Sequence, residues 1–325
     1  MAGAEGPGAG VSPRVVKAQG VNLLETYVAN EPRVAETLHA GLLRLTRAGD
    51  VRAAWLSLVK TNDIVGVKVF SAPGQLYGTR PAVVEAVVRD LLAAGLPGGN
   101  VVIWDKRRDE LAAAGFDELG RRLGVGVESA QEAGYDAGVF YLPDSPVIGR
   151  LVWGDFEFGL TNRDTGKRSF VSKLVSRRLT KIISVAPLIN EDTAGLCGHF
   201  FSLGLGSVDN THRFEGDPQR LAVALPELLA QPAVGDRTVL YITDALMGQY
   251  QGGPAGYLQY SVVLNQIWLS RDPVAIDVAG LVELSQERHK WMLRGWQNNL
   301  EIYTNAALLQ LGQNVPERIP VELVP

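Results

Sequence analysis

The sequence predicts an α/β fold of mostly parallel sheets flanked by helices, two-lobed, with an inserted β-rich section. Three observations carry this. The apolar run VGVKVF (65–70), the helical stretch TRPAVVEAVVRDLLAAGL (79–96) and the run NVVIWD (100–105) make one β–α–β unit, whose crossover calls for parallel strands. Two further buried runs, within RRLTKIISVAPLIN (177–190) and RTVLYITDALMG (237–248), are separated by another helical stretch. Between the two groups, residues 124–180 change character, with short β-like pieces (GVFYLP, VIGRLVWG, FEFGLT) broken by Gly, Pro and Asp.

In chain order, residues 1–13 read as a flexible tail, uncharged apart from Glu5. RVVKAQG (14–20) is a short strand. EPRVAETLHAGLLRLTRAG (31–49) has apolar positions at helical spacing. The helix at 79–96 has Thr79 as N-cap, Pro81 near its first turn and Gly95 near its end. The strand at 100–105 runs into the charged loop KRRDE. The stretch GLCGHFFSLGLGSVDNTHRFEGDP (195–218), with glycines at 195, 198, 204 and 206, reads as a loop at a cleft mouth. Helix 217–234 follows with Asp217 as N-cap, then the strand at 237–248 and a glycine-rich loop to Tyr257 in the position of a lid. Residues 266–290 read as strand, tight turn and helix, with Asp272 as N-cap and Pro273 at the first helical position. A last helix is expected near 301–312. The expected lobes are 14–123 and 177–325, with the insert at 124–176.

The 325 residues, 46% of them hydrophobic, suffice for a sizeable core. A net charge of −4 argues against a nucleic-acid partner. The single cysteine, Cys197, excludes an intrachain disulfide, and no iron–sulfur cluster is expected. No apolar run reaches membrane-spanning length. The start has neither a basic n-region nor an apolar h-region, which leaves open a cytoplasmic bacterial protein and an exported one whose signal has been removed.

Polar residues stand at or near the ends of buried strands: Lys68, Asp105, Asn190 and Asp244. In open parallel sheets ligands bind outside the carboxyl ends of strands, so these residues are expected to converge on one cleft. Lys68, among apolar neighbours, either faces solvent or is aimed at an anionic ligand. His199 and His212 are the chemical candidates of the 195–218 stretch, as acid–base groups or, with Asp209, as ligands of a divalent metal. Their spacing of 13 matches no tight zinc motif. Asn190, Asn210, Asp244, Gly252 and Gly253, with Lys68, are the expected substrate-binding residues. A buried Asp277 requires a partner, either Lys68 or a backbone N–H.

Four blocks in order, VGVKVFSAPG…TRPAVVEAVVRDLLAAG…NVVIWD, then DTAGLCGHFFSLGLGSVDNTHRF, LYITDALMGQYQGGP and LSRDPVAIDVAG, resemble the bacterial and archaeal family known as domain of unknown function 362 (DUF362). The resemblance covers roughly residues 60–285 and implies an α/β fold, with a more distant likeness to the two-lobed architecture of nickel-dependent lactate racemase. One block departs from the family: where its members carry a lysine–asparagine pair, this chain has Phe201 and Ser202. The functions that fit are an enzyme acting on a small anionic substrate in the strand-end cleft, with Lys68 holding the anion and His199 or His212 as acid–base group or metal ligand; a non-catalytic protein binding a small molecule or metal in the same pocket; and an interaction protein with a vestigial cleft.

Overall fold

In the computed structural model, residues 12–144, 147–293 and 298–325 are described. The tail expected at 1–13 therefore lies, up to residue 11, outside the described residues. The principal strands are β1 (Val15–Gln19), β2 (Val65–Lys68), β3 (Val101–Asp105), β4 (Gly126–Ser129), β5 (Tyr135–Tyr141), β6 (Ser169–Ser172), β7 (Lys181–Ile189), β8 (Thr238–Gln249), β9 (Ser261–Ser270) and β10 (Val321–Val324). The principal helices are α1 (Glu31–Thr46), α2 (Pro81–Ala93), α3 (Arg108–Ala113), α4 (Phe116–Leu123), α5 (His199–Ser207), α6 (Pro218–Leu229), α7 (Pro273–Lys290) and α8 (Leu300–Leu308).

Strand β3 shows why the central runs are continuously apolar. Val101 and Ile103 pack into one hydrophobic core, Val102 and Trp104 into another on the opposite face. Successive side chains of a strand point to opposite faces, so a strand covered on both sides needs apolar residues at every position. The first core holds the apolar faces of α1, α2 and α4, and the second those of α5, α6, α7 and α8. Each fully buried Val, Leu or Ile contributes about 1.5–3 kcal/mol relative to exposure, so burial on both faces of the sheet is a main source of the fold's stability.

The central sheet has eight strands in the order β10-β1-β9-β8-β7-β2-β3-β4. From β8 to β4 all neighbours are parallel, β9 is antiparallel to both β8 and β1, and β10 is parallel to β1. The strands expected in two lobes thus lie side by side in one sheet, joined where β2 pairs with β7. Strand β1 is wedged between the two last strands of the chain, with Val15 opposite both Ser270 and Val321.

The order reverses at that junction. From β2 the chain steps outward through β3 to β4; from β7 it steps the other way to β8. Crossovers of one hand running in opposite directions place their helices on opposite faces, as α2 and α5–α6 are placed. The two chain directions part between β2 and β7 and leave a crevice outside their carboxyl ends, the place where doubly wound sheets bind ligands.

The β-rich insert is present in modified form. Its first strand, β4, joins the central sheet as an edge strand, and the remainder makes two small ladders, β5 with β6 and Gly149–Arg150 with Thr165–Gly166. The expected loop at 195–218 contains a helix: α5 spans His199–Ser207 and is buried along its whole length. Glycine disfavours helix by about 1 kcal/mol relative to alanine, yet here its missing side chain is what lets neighbours approach. A Cβ on Gly206 would stand 2.2 Å from Lys68 Cε, and one on Gly198 would stand 2.4 Å from an Asp277 carboxylate oxygen. Gly206→Ala is expected to displace Lys68 and to destabilise the fold by about 1–3 kcal/mol, the usual cost of overpacking. Urea unfolding checks this, and an unchanged midpoint would contradict the close approach.

Candidate functional site

A cavity of about 540 Å³ opens at the carboxyl ends of the parallel strands. Its wall takes residues from the segments after β2 (Phe70, Ala72), β3 (Asp105, Lys106, Arg107), β4 (Gln131) and β7 (Glu191). Helix α5 contributes Phe201, Ser202 and Gly206, and the turn after it Thr211, His212 and Glu215. Pro254, in the glycine-rich loop after β8, and Trp153, in the insert, complete the rim. Of the four strand-end residues expected to converge, Lys68, Asp105, Asn190 and Asp244, Asp105 alone lines this cavity.

Lys68 does not face solvent. It is fully buried beneath this cavity, 2.8 Å from Asp105 and donating to Ser202 Oγ at 3.0 Å and to the Val69 carbonyl. Burial lowers its pKa, while the Asp105 carboxylate works against that shift. Asp105 also accepts from the Ser71 backbone N–H (2.8 Å), the Ser71 hydroxyl (2.7 Å) and the Lys106 backbone N–H (2.7 Å). Every N–H or lone pair that counts is used inside the protein, so Lys68 is a structural cation and not a free anion holder.

His199 is likewise internal. Its ring nitrogens lie 2.8 Å from Ser184 Oγ and 3.2 Å from Thr243 Oγ1, and its side chain is fully buried. Hydroxyls can donate or accept, so either tautomer of the neutral ring is satisfied. Burial, aided by the Lys68 charge, holds its pKa down at about 3. An imidazole held between two hydroxyls has no nitrogen left for a metal or a substrate. The first turn of α5 is tied down from outside, because the His199 and Phe200 backbone N–H groups donate to Asp277 at 2.9 and 3.0 Å. The backbone N–H is thus the partner Asp277 required.

Asp209 cannot ligate a metal together with these histidines. Its carboxylate accepts the Phe156 N–H at 2.7 Å and the Phe170 N–H at 2.6 Å, which staples both halves of the insert to the turn after α5. Burial raises its pKa to about 7. Among the described residues no group of three His, Cys, Asp or Glu side chains could hold a metal ion. His212 alone of the expected trio is exposed and lines the cavity.

The other expected binding residues serve the scaffold. Asp244 is not at the end of β8, which runs on to Gln249. It points to the opposite face and pairs with Arg80, at 2.9 Å from the backbone N–H and 2.8 Å from Nη1. Asn190 accepts from Gln249 Nε2 at 3.3 Å, and Gln249 Oε1 accepts the Tyr257 N–H at 2.8 Å, so the pair anchors the glycine-rich loop. Gly252 and Gly253 adopt φ of +103° and +64°, which make that loop's turn. Asn210 is buried and donates to the Arg168 carbonyl at 3.0 Å.

The residue missed from sequence is Lys106. Its Nζ donates to Thr211 Oγ1 at 3.1 Å and to the Asp209 carbonyl at 3.4 Å. Desolvation by burial lowers its pKa. Among the described residues it makes no ion pair with a carboxylate, although the cavity is rich in acids. Those acids are already engaged. Asp105 holds Lys68, and Glu191 accepts from Thr193 and Ala194. Asp155 caps Val152, Glu215 accepts from Thr211, and Glu110 lies 3.4 Å from Arg107. Burial and the nearby Asp105 charge hold the Glu110 carboxyl above its usual range.

No family model matches this chain, and no curated protein matches it either. The described residues include no helix long and apolar enough to cross a membrane.

Proposed function

We propose that the protein is an enzyme that binds and transforms a small anionic molecule in the strand-end cleft, with Lys106 at the reacting centre. One observation carries this reading: at the strand-end cavity, the half-buried Lys106 makes hydrogen bonds to a hydroxyl and a carbonyl but no ion pair with a carboxylate among the described residues, while the cavity's acids are hydrogen-bonded or ion-paired to other groups. Burying a cation is costly; the carboxylates of Glu215, Asp155, Asp209 and Asp105 offset part of that cost from a distance, and an anionic ligand would add a direct partner. Arg107 and His212 lie on the same wall and add a guanidinium and an imidazole. Trp153, 79% exposed at the rim, offers a ring to close over the ligand. Membership of the DUF362 family is part of this proposal and rests on the four ordered sequence blocks. In that frame Phe201 replaces a family lysine on the cavity wall, and Lys106 is the cation left to meet a substrate.

Thermal unfolding in a panel of small carboxylates and phosphates tests the reading. A ligand bound only by the native state raises the melting temperature, by about 2.7 kcal/mol of added stability at 100 times its Kd. At least one anion is expected to stabilise the wild type, and Lys106→Met is expected to weaken that anion about tenfold or more, as loss of a charge-assisted contact would. No stabilisation by any anion, or equal stabilisation of the variant, would remove the proposal.

A further inference from the structure

We infer that Lys106 is a covalent catalyst, forming an imine with a carbonyl-bearing anion such as a small 2-oxo acid. The inference rests on the anion-binding reading and adds to it the substrate class and the bond formed.

The geometry around Nζ carries it. Thr211 Oγ1 donates its own proton to Glu215 Oε2 at 2.7 Å. That hydroxyl is therefore committed as an acceptor toward Lys106, which donates to it at 3.1 Å. The Asp209 carbonyl accepts a second N–H at 3.4 Å. A tetrahedral amine nitrogen has one position for Cε and two for these hydrogens. The fourth meets no acceptor among the described residues, and Lys106 lines the cavity. In the ammonium form that position holds a proton; in the neutral amine it holds the lone pair. Thr211, Glu215 and the Asp209 carbonyl thus act as positioning groups that fix two hydrogens and leave the reactive direction open. Lysines become nucleophiles when burial favours the neutral amine, and Lys68, fully buried and saturated, shows by contrast what a purely structural lysine looks like here.

The step balances without a further reactant. The cleft-facing ammonium proton passes to a cleft carboxylate, for which Glu110 is placed on the same wall. The Nζ lone pair forms a C–N bond to the carbonyl carbon, and one of the two hydrogens left on Nζ passes to the carbonyl oxygen to give a neutral carbinolamine. Glu110 returns its proton to that hydroxyl, which leaves as water as the nitrogen lone pair closes C=N, so the product is a protonated imine that keeps one N–H.

The test is reductive trapping on the full chain, with pyruvate and in parallel with the neutral aldehyde propanal, each with cyanoborohydride, followed by peptide mapping. Pyruvate is expected to label Lys106 about tenfold faster than the exposed Lys60 and Lys167, as an oriented and half-buried amine should react, and to leave Lys68 unlabelled. Lys106→Arg, which keeps a cation but has no nucleophilic amine, should give no adduct at that position. Thr211→Val and Glu215→Gln should slow labelling and shift its pH profile, whereas a purely structural role would leave the profile unmoved. Labelling spread evenly over the exposed lysines by both reagents overturns the inference. If pyruvate stabilises the protein but leaves Lys106 unlabelled, anion binding stands and the covalent step falls. If propanal labels Lys106 selectively while pyruvate neither labels nor stabilises, the nucleophile stands and the anion reading falls.

Discussion

Asp105→Ala should destabilise the protein by about 3–5 kcal/mol, the range for breaking a buried ion pair and stranding one charge. Lys68 would remain fully buried with only a hydroxyl and a carbonyl as partners. The Ser71 N–H and hydroxyl and the Lys106 N–H would lose their acceptor as well. Lys68→Met should cost less, because Asp105 keeps those three donors while the methionine refills most of the volume. The double variant should be more stable than the sum of the single losses predicts, since neither charge is then left alone. Urea unfolding of the four proteins measures the cycle. Additive losses would mean that the pair at 2.8 Å contributes nothing beyond its members' separate contacts.

Asp277→Ala should be nearly as damaging, at about 3 kcal/mol, because it leaves two buried N–H groups at the start of α5 without their carboxyl acceptor. Asp277→Asn keeps an acceptor and should cost less. The Asn variant also carries a signature in pH. Burial lifts the Asp277 carboxyl from its ordinary 3.8 to about 7, against the pull of the His199 and Phe200 N–H groups. Between those two values the folded chain holds a proton that the unfolded chain has released. Stability from this group is therefore full at the acid end and falls as pH rises toward 7. Asp209 and Asp272, raised to about 7 and about 6 by burial, act with the same sign. His199, held neutral down to about pH 3, acts with the opposite sign and loses its contribution as pH falls below its ordinary 6.5. Asp277→Asn should thus make the stability curve between pH 4 and 7 less falling, by at most about 1.4 kcal/mol per pH unit. Melting temperatures across that range decide it, and a curve parallel to the wild type would place the Asp277 carboxyl in its ordinary range.

The parallel sheet was legible because strands covered on both faces are apolar at nearly every position, and VVIW (101–104) and most of KIISVAPLI (181–189) are. Lys68 stood out among apolar neighbours, but the sequence left open whether it faced solvent; coverage of the sheet on both faces is what buries it. The site was less legible. DKRRDE after β3 has the composition of a solvated loop, and only the pairing of β2 with both β3 and β7 turns its first residues into the wall of a crevice. The identity of the residue just past a strand end was the one local signal for Lys106, and the adjoining charges masked it. His199 misled because glycines at 198, 204 and 206 suggest an open loop. In the fold those glycines serve tight packing, and the histidine is a core residue bonded to two hydroxyls. Pairing between residues as distant as Lys106 and Thr211 leaves no periodicity or spacing to read.

The wedging of β1 between β9 and β10 bears on how the molecule assembles during synthesis. A ribosome releases the chain from its N-terminus, so β2, α2, β3 and β4 can pair among themselves soon after they emerge. Strand β1 cannot. Its neighbours lie about 250 and 300 positions further along, at Ser270 and Val321 opposite Val15. Until they arrive, an apolar strand with two unpaired edges stays exposed to other nascent chains, and such long-range pairing is slow to form. Strand β1 is made well before its neighbours and is among the last strands of this sheet to find its place, and that interval is where a chaperone would have the most to protect.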